Sequence, residues 1–521
     1  MAKPLNILHI MADQLNASAL AAYGNKVAKT PRIDSLAARG TLFETFYCNF
    51  PLCAPSRASM LTGRQASRLG VFDNACDFPS QAPTLPHYLS AMGYQTVLSG
   101  KMHFIGADQL HGYQERLTTD IYPSDFGWTP DWRKSIPVAS TGVSLRSVVE
   151  AGTCIRSLQL DFDDEVANKS VQWLHDYGRK ADAKPFFHTV SMTHPHNPYV
   201  TTQEYWDRYA HEDVDMPRVG PIPYENLDAH SQRIHKVYKF GEHVVTEEDV
   251  RTSRHAYYGM VSYIDDQVGR LLQALEDMNL AENTVVVFTS DHGDMLGERG
   301  LWYKWMHFEH ACRIPMIVAV PGQKAARVKA PASLIDFLPT VVDIAAQTVA
   351  KPEPVAPLEG VSLLPAVLGQ AALPASRPVF AEMNADGTTS PSFMVRRGDW
   401  KYIACEGDPP MLFNLAKDPD ELDNLAGSAG ASMVQAELDA LVNANWQPTA
   451  LKKEMHESLR RRQFVQSARE ASGAPAWDYE PRKDASKMFV RGGGEGAGAT
   501  ATKGRARFPF VPAKPFDVPA K

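Results

Sequence analysis

Two short, largely apolar runs in this chain stop at acids. Leu5 to Met11 stops at Asp13-Gln14, and Thr284 to Thr289 (Thr-Val-Val-Val-Phe-Thr) stops at Ser290-Asp291-His292-Gly293-Asp294. Runs of this length without polar alternation mark strands buried on both faces. Helical stretches such as Thr252 to Met278 separate them, so the pattern predicts an α/β fold with a large, mostly parallel sheet flanked by helices. Ligands of such sheets sit beyond the carboxyl ends of the strands, which makes Asp13 and Asp291 site candidates. A lone Asp at a strand exit also serves as a turn residue or helix cap, and it is the recurrence that points to a site.

The pattern changes around 349 to 360, Val-Ala-Lys-Pro-Glu-Pro-Val-Ala-Pro-Leu-Glu-Gly, where proline and glycine mark a connection. Beyond it, Val379 to Glu382, Phe393 to Arg397 and Lys401 to Ala404 read as short strands, with a turn at Asp399-Trp400, and Ser432 to Asn443 reads as a helix. The organisation expected is a catalytic domain over 1–350, a smaller α+β subdomain over 360–450, and an extension and tail over 451–521. That last part holds a charged stretch around Lys452 to Arg462, the Trp477-Asp478-Tyr479 patch and a glycine-rich segment from Arg491 to Gly504. Its end, Arg505-Ala-Arg-Phe-Pro-Phe-Val-Pro, reads either as a disordered tail or as an arm on a neighbouring subunit that would cover Phe508, Phe510 and Phe516.

Composition narrows the class. A chain of 521 residues, 44% hydrophobic and 22% charged, can bury a large core and exceeds one ordinary domain. A net charge of −7 with both signs interspersed gives no reason to expect nucleic acid or an anionic membrane as partner. Six cysteines are too sparse for a disulfide scaffold. The first apolar run is short and reads as a core strand, with no apolar stretch long enough to span a bilayer, so a cytoplasmic location is expected.

The strongest chemical signal is Cys53-Ala-Pro-Ser-Arg57-Ala-Ser-Met-Leu61-Thr62-Gly63-Arg64. A free cysteine is most often a buried structural residue. A phosphatase-type thiolate loop is excluded, because the arginine lies four positions after Cys53 and position 59 is Ser. The string resembles the signature of the formylglycine-dependent sulfatases of the alkaline phosphatase superfamily, in which Cys-x-Pro-x-Arg directs oxidation of the cysteine to an aldehyde. The resemblance implies a maturating, formylglycine-generating enzyme as partner. A thiolate attacking a sulfate ester would be trapped, whereas an aldehyde hydrate attacks through one oxygen and expels the group by deprotonating the other.

Such chemistry needs a cation to withdraw charge. Asp13, Asp291 and hydrated residue 53 would supply hard oxygens, with Gln14 and His292 adding an amide and an imidazole. The Asp-Gln and Asp-His pairs look like those of choline sulfatases and the related phosphonate monoester hydrolases. Oxygen ligands favour calcium, and the histidine also admits manganese. By the same resemblance Arg57 would hold the hydrate. In Ser99-Gly-Lys101-Met-His103, Lys101 would bind sulfate and His103 would take the proton of the second hydroxyl. In Thr193-His194-Pro-His196 the first His would protonate the leaving oxygen, and in Trp302-Tyr-Lys304 the lysine would bind the transferred group. His9, His87, His196 and His310 are read as structural.

Further strings similar to choline sulfatase include Phe50-Pro-Leu52, Asp73-Asn74-Ala75, Gly100 to Gly127, Gln159 to Glu165 and Arg505 to Pro509. The resemblance implies an alkaline-phosphatase-like fold, a homodimer or homotetramer contacted through the tail, and Asn74 near the sulfate ester. A quaternary ammonium is recognised by an aromatic face and a carboxylate, and the resemblance places Trp128 and Glu382 in those roles. The segment Ser140 to Val148, with Val143, lacks the aromatic and His that choline sulfatases tend to carry there. A small-molecule sulfate ester is therefore the expected substrate, with choline sulfate first. A phosphonate monoester or phosphodiester, a broad range of aryl sulfates, and a non-catalytic binding role on the same scaffold are the alternatives.

Overall fold

The computed structural model describes residues 4–131, 141–473, 507–508 and 511–512. Its main sheet has eight strands: β1 (Asn6–Ala12), β2 (Thr41–Phe43), β3 (Gln95–Gly100), β4 (Glu115–Arg116), β5 (Phe186–Met192), β6 (Thr284–Ser290), β7 (Met316–Ala319) and β8 (Ala326–Val328). They lie in the order β8-β2-β7-β6-β1-β5-β3-β4, and every neighbouring pair is parallel except the two made by β7. β1, β5 and β6 are buried along their whole length, as the central strands of a sheet covered on both faces are.

Register turns this sheet into a platform. Ala12 stands opposite Ser290 on one side and Met192 on the other, and Gly100 stands opposite Ser191. The residues that follow, Asp13, Asp291, Thr193 and Lys101, therefore leave the sheet side by side at its carboxyl edge.

Three helices matter for the site: α1 (Cys53–Thr62), α2 (Leu158–Gly178) and α3 (Glu247–Asp277). α3 starts before the expected Thr252 because Thr246 and Asp249 form a capping box, each side chain accepting from the other's backbone N–H at 3.1 and 3.0 Å.

The C-terminal region is an antiparallel sheet of β9 (Val379–Met383), β10 (Ser392–Arg397), β11 (Trp400–Cys405) and β12 (Met411–Asn414), on which α4 (Ser432–Asn445) packs. Trp400 already belongs to β11, opposite Arg397, so the hairpin turns at Gly398-Asp399, with Gly398 at φ 55°, one residue before the expected Asp399-Trp400. The charged stretch after it is a long helix, α5 (Pro448–Ser472). Of the tail, Arg507–Phe508 pairs antiparallel with Arg156–Ser157. The Trp477-Asp478-Tyr479 patch, the glycine-rich segment, Phe510 and Phe516 lie outside the described residues. Among the described residues no helix is long and apolar enough to cross a membrane.

Candidate active site

All ten residues of α1 are buried. Its first residue is Cys53, and Leu52 offers no side-chain cap; instead Asn74 Oδ1 accepts the Ala54 N–H at 2.9 Å. Arg57 lies one turn after Cys53 and so on the same face. Its Nε donates to Asp291 Oδ2 at 2.8 Å and its Nη1 to Ser191 Oγ at 2.9 Å and to the Lys101 carbonyl. Nη2 stands 3.9 Å from Asp13 Oδ2. Lys101 closes the network with an ion pair to Asp13 Oδ2, and its Nζ sits 4.3 Å from the centre of the Tyr122 ring. Gly100 makes this delivery feasible: its φ is 98°, and a Cβ there would fall 1.9 Å from the Ser191 carbonyl oxygen.

Asp13, Cys53, Asp291 and His292 bring one ligand atom each to within 4.8 Å of one another, all buried. Cys53 Sγ is 3.2 Å from His292 Nε2 and 3.8 Å from Asp13 Oδ1. Burial, with Asp291 and Cys53 close by, raises the Asp13 carboxyl to about 7 despite Lys101 and Arg57. Burial would raise Asp291 too, but the Arg57 guanidinium and His292 outweigh it and hold that carboxyl below the usual range. Two buried carboxylates and an imidazole converging beside residue 53 are a donor set that fits a divalent cation. Gln14 lies beside the group. Its Oε1 accepts from Lys304 at 2.8 Å while its amide donates to Asp294 Oδ2 at 2.7 Å.

A cavity opens over Cys53. Lys304 Nζ reaches Cys53 Sγ at 3.2 Å and His196 Nε2 at 2.9 Å, and His196 Nδ1–H donates to the Asn197 carbonyl at 2.6 Å. The His196 imidazole is therefore neutral, its pKa lowered to about 3 by burial and by the Lys304 charge. Burial of Cys53 is overridden by Lys101, Lys304 and His292, which hold its thiol well below the ordinary value. His103 also lines the cavity. Neither of its ring nitrogens has a hydrogen-bond partner, and Tyr122 and Trp128 pack on it at 5.3 and 5.6 Å. Its backbone N–H, like that of Met102, is held by Asp120. Gln14, His103, Tyr303 and Trp305 all carry a positive φ, a concentration of backbone strain around the cavity.

The remaining wall is aromatic. Two aromatic pairs line it, Trp128 with Tyr122, their centroids 5.4 Å apart, and Trp305 stacked on Tyr238 at 3.9 Å. Val143 and Asn74 also face the space, as do the carboxyl-bearing residues Asp73 and Asp386.

Two expected residues lie elsewhere. His194 is absent from the cavity wall. Its Nδ1–H donates to Asp163 Oδ2 at 2.5 Å, and Asp163 also takes the backbone N–H groups of Thr193 and His194. His194 thus fixes the loop, and His196, read from sequence as structural, is the one beside Lys304. Glu382 sits on β9 with its oxygens used by the Ser67 N–H at 2.7 Å and the Trp446 indole N–H at 3.0 Å. It is buried cement between domains and does not face the cavity. Of the two acids on the cavity wall, Asp73 is paired with Arg462; the other is Asp386, in the loop after β9, where Gly387 turns at φ 76° and Arg233 donates to the Gly387 carbonyl at 2.6 Å. The sequence held the raw signals, a second His in one string and an Asp-Gly turn past a strand, without showing which way each faces.

A consequence is testable. Glu382→Gln puts an amide N–H against one of two buried donors, so stability should fall by about 1–3 kcal/mol. The KM ratio between a cationic and a neutral sulfate ester should not move, as thermal unfolding and kinetics on the two substrates will reveal; a selective KM rise for the cation would return Glu382 to the binding site.

Comparison with known proteins shows the family. Residues 5–347 match the family described as Sulfatase, 297–447 match N-sulphoglucosamine sulphohydrolase, C-terminal, and 453–508 match Choline sulfatase enzyme C terminal. The choline-sulfatase of Rhizobium meliloti (strain 1021) is 42% identical over 493 residues, covering 93% of this chain and 95% of that one. Arylsulfatase K of Danio rerio is 27% identical, with 93% of each chain covered. Among solved structures, the phosphonate monoester hydrolase of Agrobacterium radiobacter superposes with a TM-score of 0.66 at 23% identity over 87% of this chain and 96% of that one, which speaks to the fold. A chain that matches the sulfatase family over residues 5–347 and the choline sulfatase C-terminal segment over 453–508 belongs to the sulfatase family, with an alkaline-phosphatase-like fold, and is a sulfuric ester hydrolase.

Proposed function

We propose that the protein hydrolyses choline sulfate, or a similarly small cationic alkyl sulfate, to the alcohol and inorganic sulfate. It would use formylglycine produced from Cys53 by a formylglycine-generating enzyme. The observation that carries this reading is a cavity lined by Cys53, by two aromatic pairs, Trp128 with Tyr122 and Trp305 with Tyr238, and by the acid Asp386. Aromatic faces and a carboxylate attract a quaternary ammonium, which offers no hydrogen-bond donor.

The Cys53 Sγ stands where the two hydroxyls of the hydrated aldehyde would be. Hydrated formylglycine supplies a geminal diol, one oxygen to attack sulfur and another whose deprotonation expels sulfate. Asp13, Asp291, His292 and residue 53 would hold the divalent cation, calcium or manganese, with Gln14 at its side; bound there it would withdraw charge from the sulfate group. Lys101 and Lys304 flank residue 53 and bind sulfate oxygens, and Arg57 fixes residue 53 against Asp291. His103, with its pKa lowered by burial and by Lys101, is neutral and accepts the proton of the second hydroxyl. Lys304 donates to His196 Nε2, so the Lys304 ammonium carries the proton destined for the leaving oxygen and the neutral His196 holds it in place. Asn74 steadies α1 through Ala54 while lining the space beside the ester.

Asp386→Asn tests the cation site. The KM for choline sulfate should rise about tenfold, on the order of 1–2 kcal/mol for a partly desolvated cation contact, while that for a neutral aryl sulfate stays within about twofold. Equal changes for both would remove the cationic substrate from the account and leave a sulfatase of another specificity.

A further inference from the structure

Helix α5 lies outside the 5–347 segment that matches the sulfatase family, yet one of its side chains reaches the cavity wall. The buried positions of α5 are Leu451, Met455, Leu459 and Arg462, an i, i+4, i+8, i+11 stripe whose last member is charged. Arg462 is only 4% exposed, and Asp73, its partner, 2%. The pairing is a two-pronged fork, Nη1 to Asp73 Oδ1 and Nη2 to Asp73 Oδ2, both 2.8 Å. Nη1 also donates to Thr129 Oγ1 at 3.2 Å, and the next residue, Gln463, donates to the Pro130 carbonyl at 3.1 Å.

These contacts join two cavity segments that are far apart in sequence. Asp73 adjoins Asn74, which caps α1 at Ala54, and Thr129 adjoins Trp128, which packs on His103. We infer that Arg462 is a positioning residue that sets substrate selectivity, clamping the Asp73-Asn74 loop and the Trp128 turn at the spacing the ester's alcohol portion requires. A second effect reinforces the first. Without the guanidinium, Asp73 would be left as an unpaired buried carboxylate on the cavity wall and would either take up a proton or pull its loop toward water. A lysine could neutralise Asp73 but could not bridge both of its oxygens and Thr129 at once. The residue touches neither the ester nor residue 53, so its influence acts through Trp128 and Asn74.

The inference rests on the proposed use of this cavity, and the experiment separates the two. Wild type, Arg462→Lys, Arg462→Met and the Asp73→Asn/Arg462→Met double variant are compared on choline sulfate and on 4-nitrophenyl sulfate, with formylglycine content measured in each. The wild-type preference tests the substrate; the change from wild type to variant tests the clamp, on whichever ester wild type prefers. Arg462→Met should raise KM for that ester at least tenfold with kcat within about threefold, Arg462→Lys should fall between, and the double variant, relieved of the stranded carboxylate, should recover part of the loss. If Arg462→Met does not fold, the lysine variant alone decides. Unchanged KM, or a fall in kcat/KM of the same size on both esters, would show that Arg462 only stabilises the fold and would overturn the inference.

Discussion

Cys53→Ala should lose turnover by about 10⁵-fold or more, because no other side chain beside the sulfate position can act as a nucleophile that resets itself. The fold should survive. The charges around Cys53 are paired independently of its side chain, Lys101 with Asp13 and Arg57 with Asp291, and the backbone of α1 is anchored through Ser56 Oγ to the Asp291 carbonyl at 2.6 Å and through Asn74. The variant should therefore keep its circular dichroism spectrum and a melting temperature within a few degrees of wild type while falling silent in steady-state assays. Turnover at the wild-type rate would end the diol mechanism.

His196→Ala should separate substrates by their leaving groups. An alkyl sulfate expels a strongly basic alkoxide and needs a proton delivered as the bond breaks; without His196 the Lys304 ammonium that carries it loses its anchor, and kcat/KM should drop by about 10²-fold, the lower end of the span for proton-transfer catalysis. A nitrophenyl sulfate expels a weakly basic phenolate and should lose far less. His194→Ala is the control. It strips Asp163 of one donor and loosens the loop, so both substrate types should suffer alike. A leaving-group effect at position 194 with none at 196 would restore the role that the sequence alone suggested for the first histidine.

The difference between these two histidines shows what a sequence can carry. Strands β1 and β6 were legible because both faces are buried and apolar residues dominate their runs, and the acids at their ends were legible as a pair. β5 was not, because His188, Thr189 and Ser191 put three polar positions through its centre; the interior accepts them by setting His188 edge-on to Trp173 at 4.9 Å and by a hydroxyl hydrogen bond between Tyr113 and Thr189 at 2.8 Å. α5 carries charges around most of its circumference and only four buried positions, too narrow a stripe to read as a helix. The placements of Glu382 and His194 failed for a common reason. Each is polar and buried, and whether such a side chain cements the fold or faces the substrate depends on partners distant in sequence, Trp446 and Ser67 for one, Asp163 for the other. Asp386 and Arg462 belong to no motif and become visible only when the loops meet.

The most direct measurement is steady-state hydrolysis of choline sulfate beside a neutral aryl sulfate and a phenyl phosphonate monoester, on protein whose formylglycine content at position 53 is fixed by peptide mass spectrometry. The aromatic walls and Asp386 predict a kcat/KM for choline sulfate at least tenfold above both others, from a cation contact worth about 1–2 kcal/mol. A flat profile, or a preference for the phosphonate, would contradict the cationic sulfate ester as the substrate of this cavity.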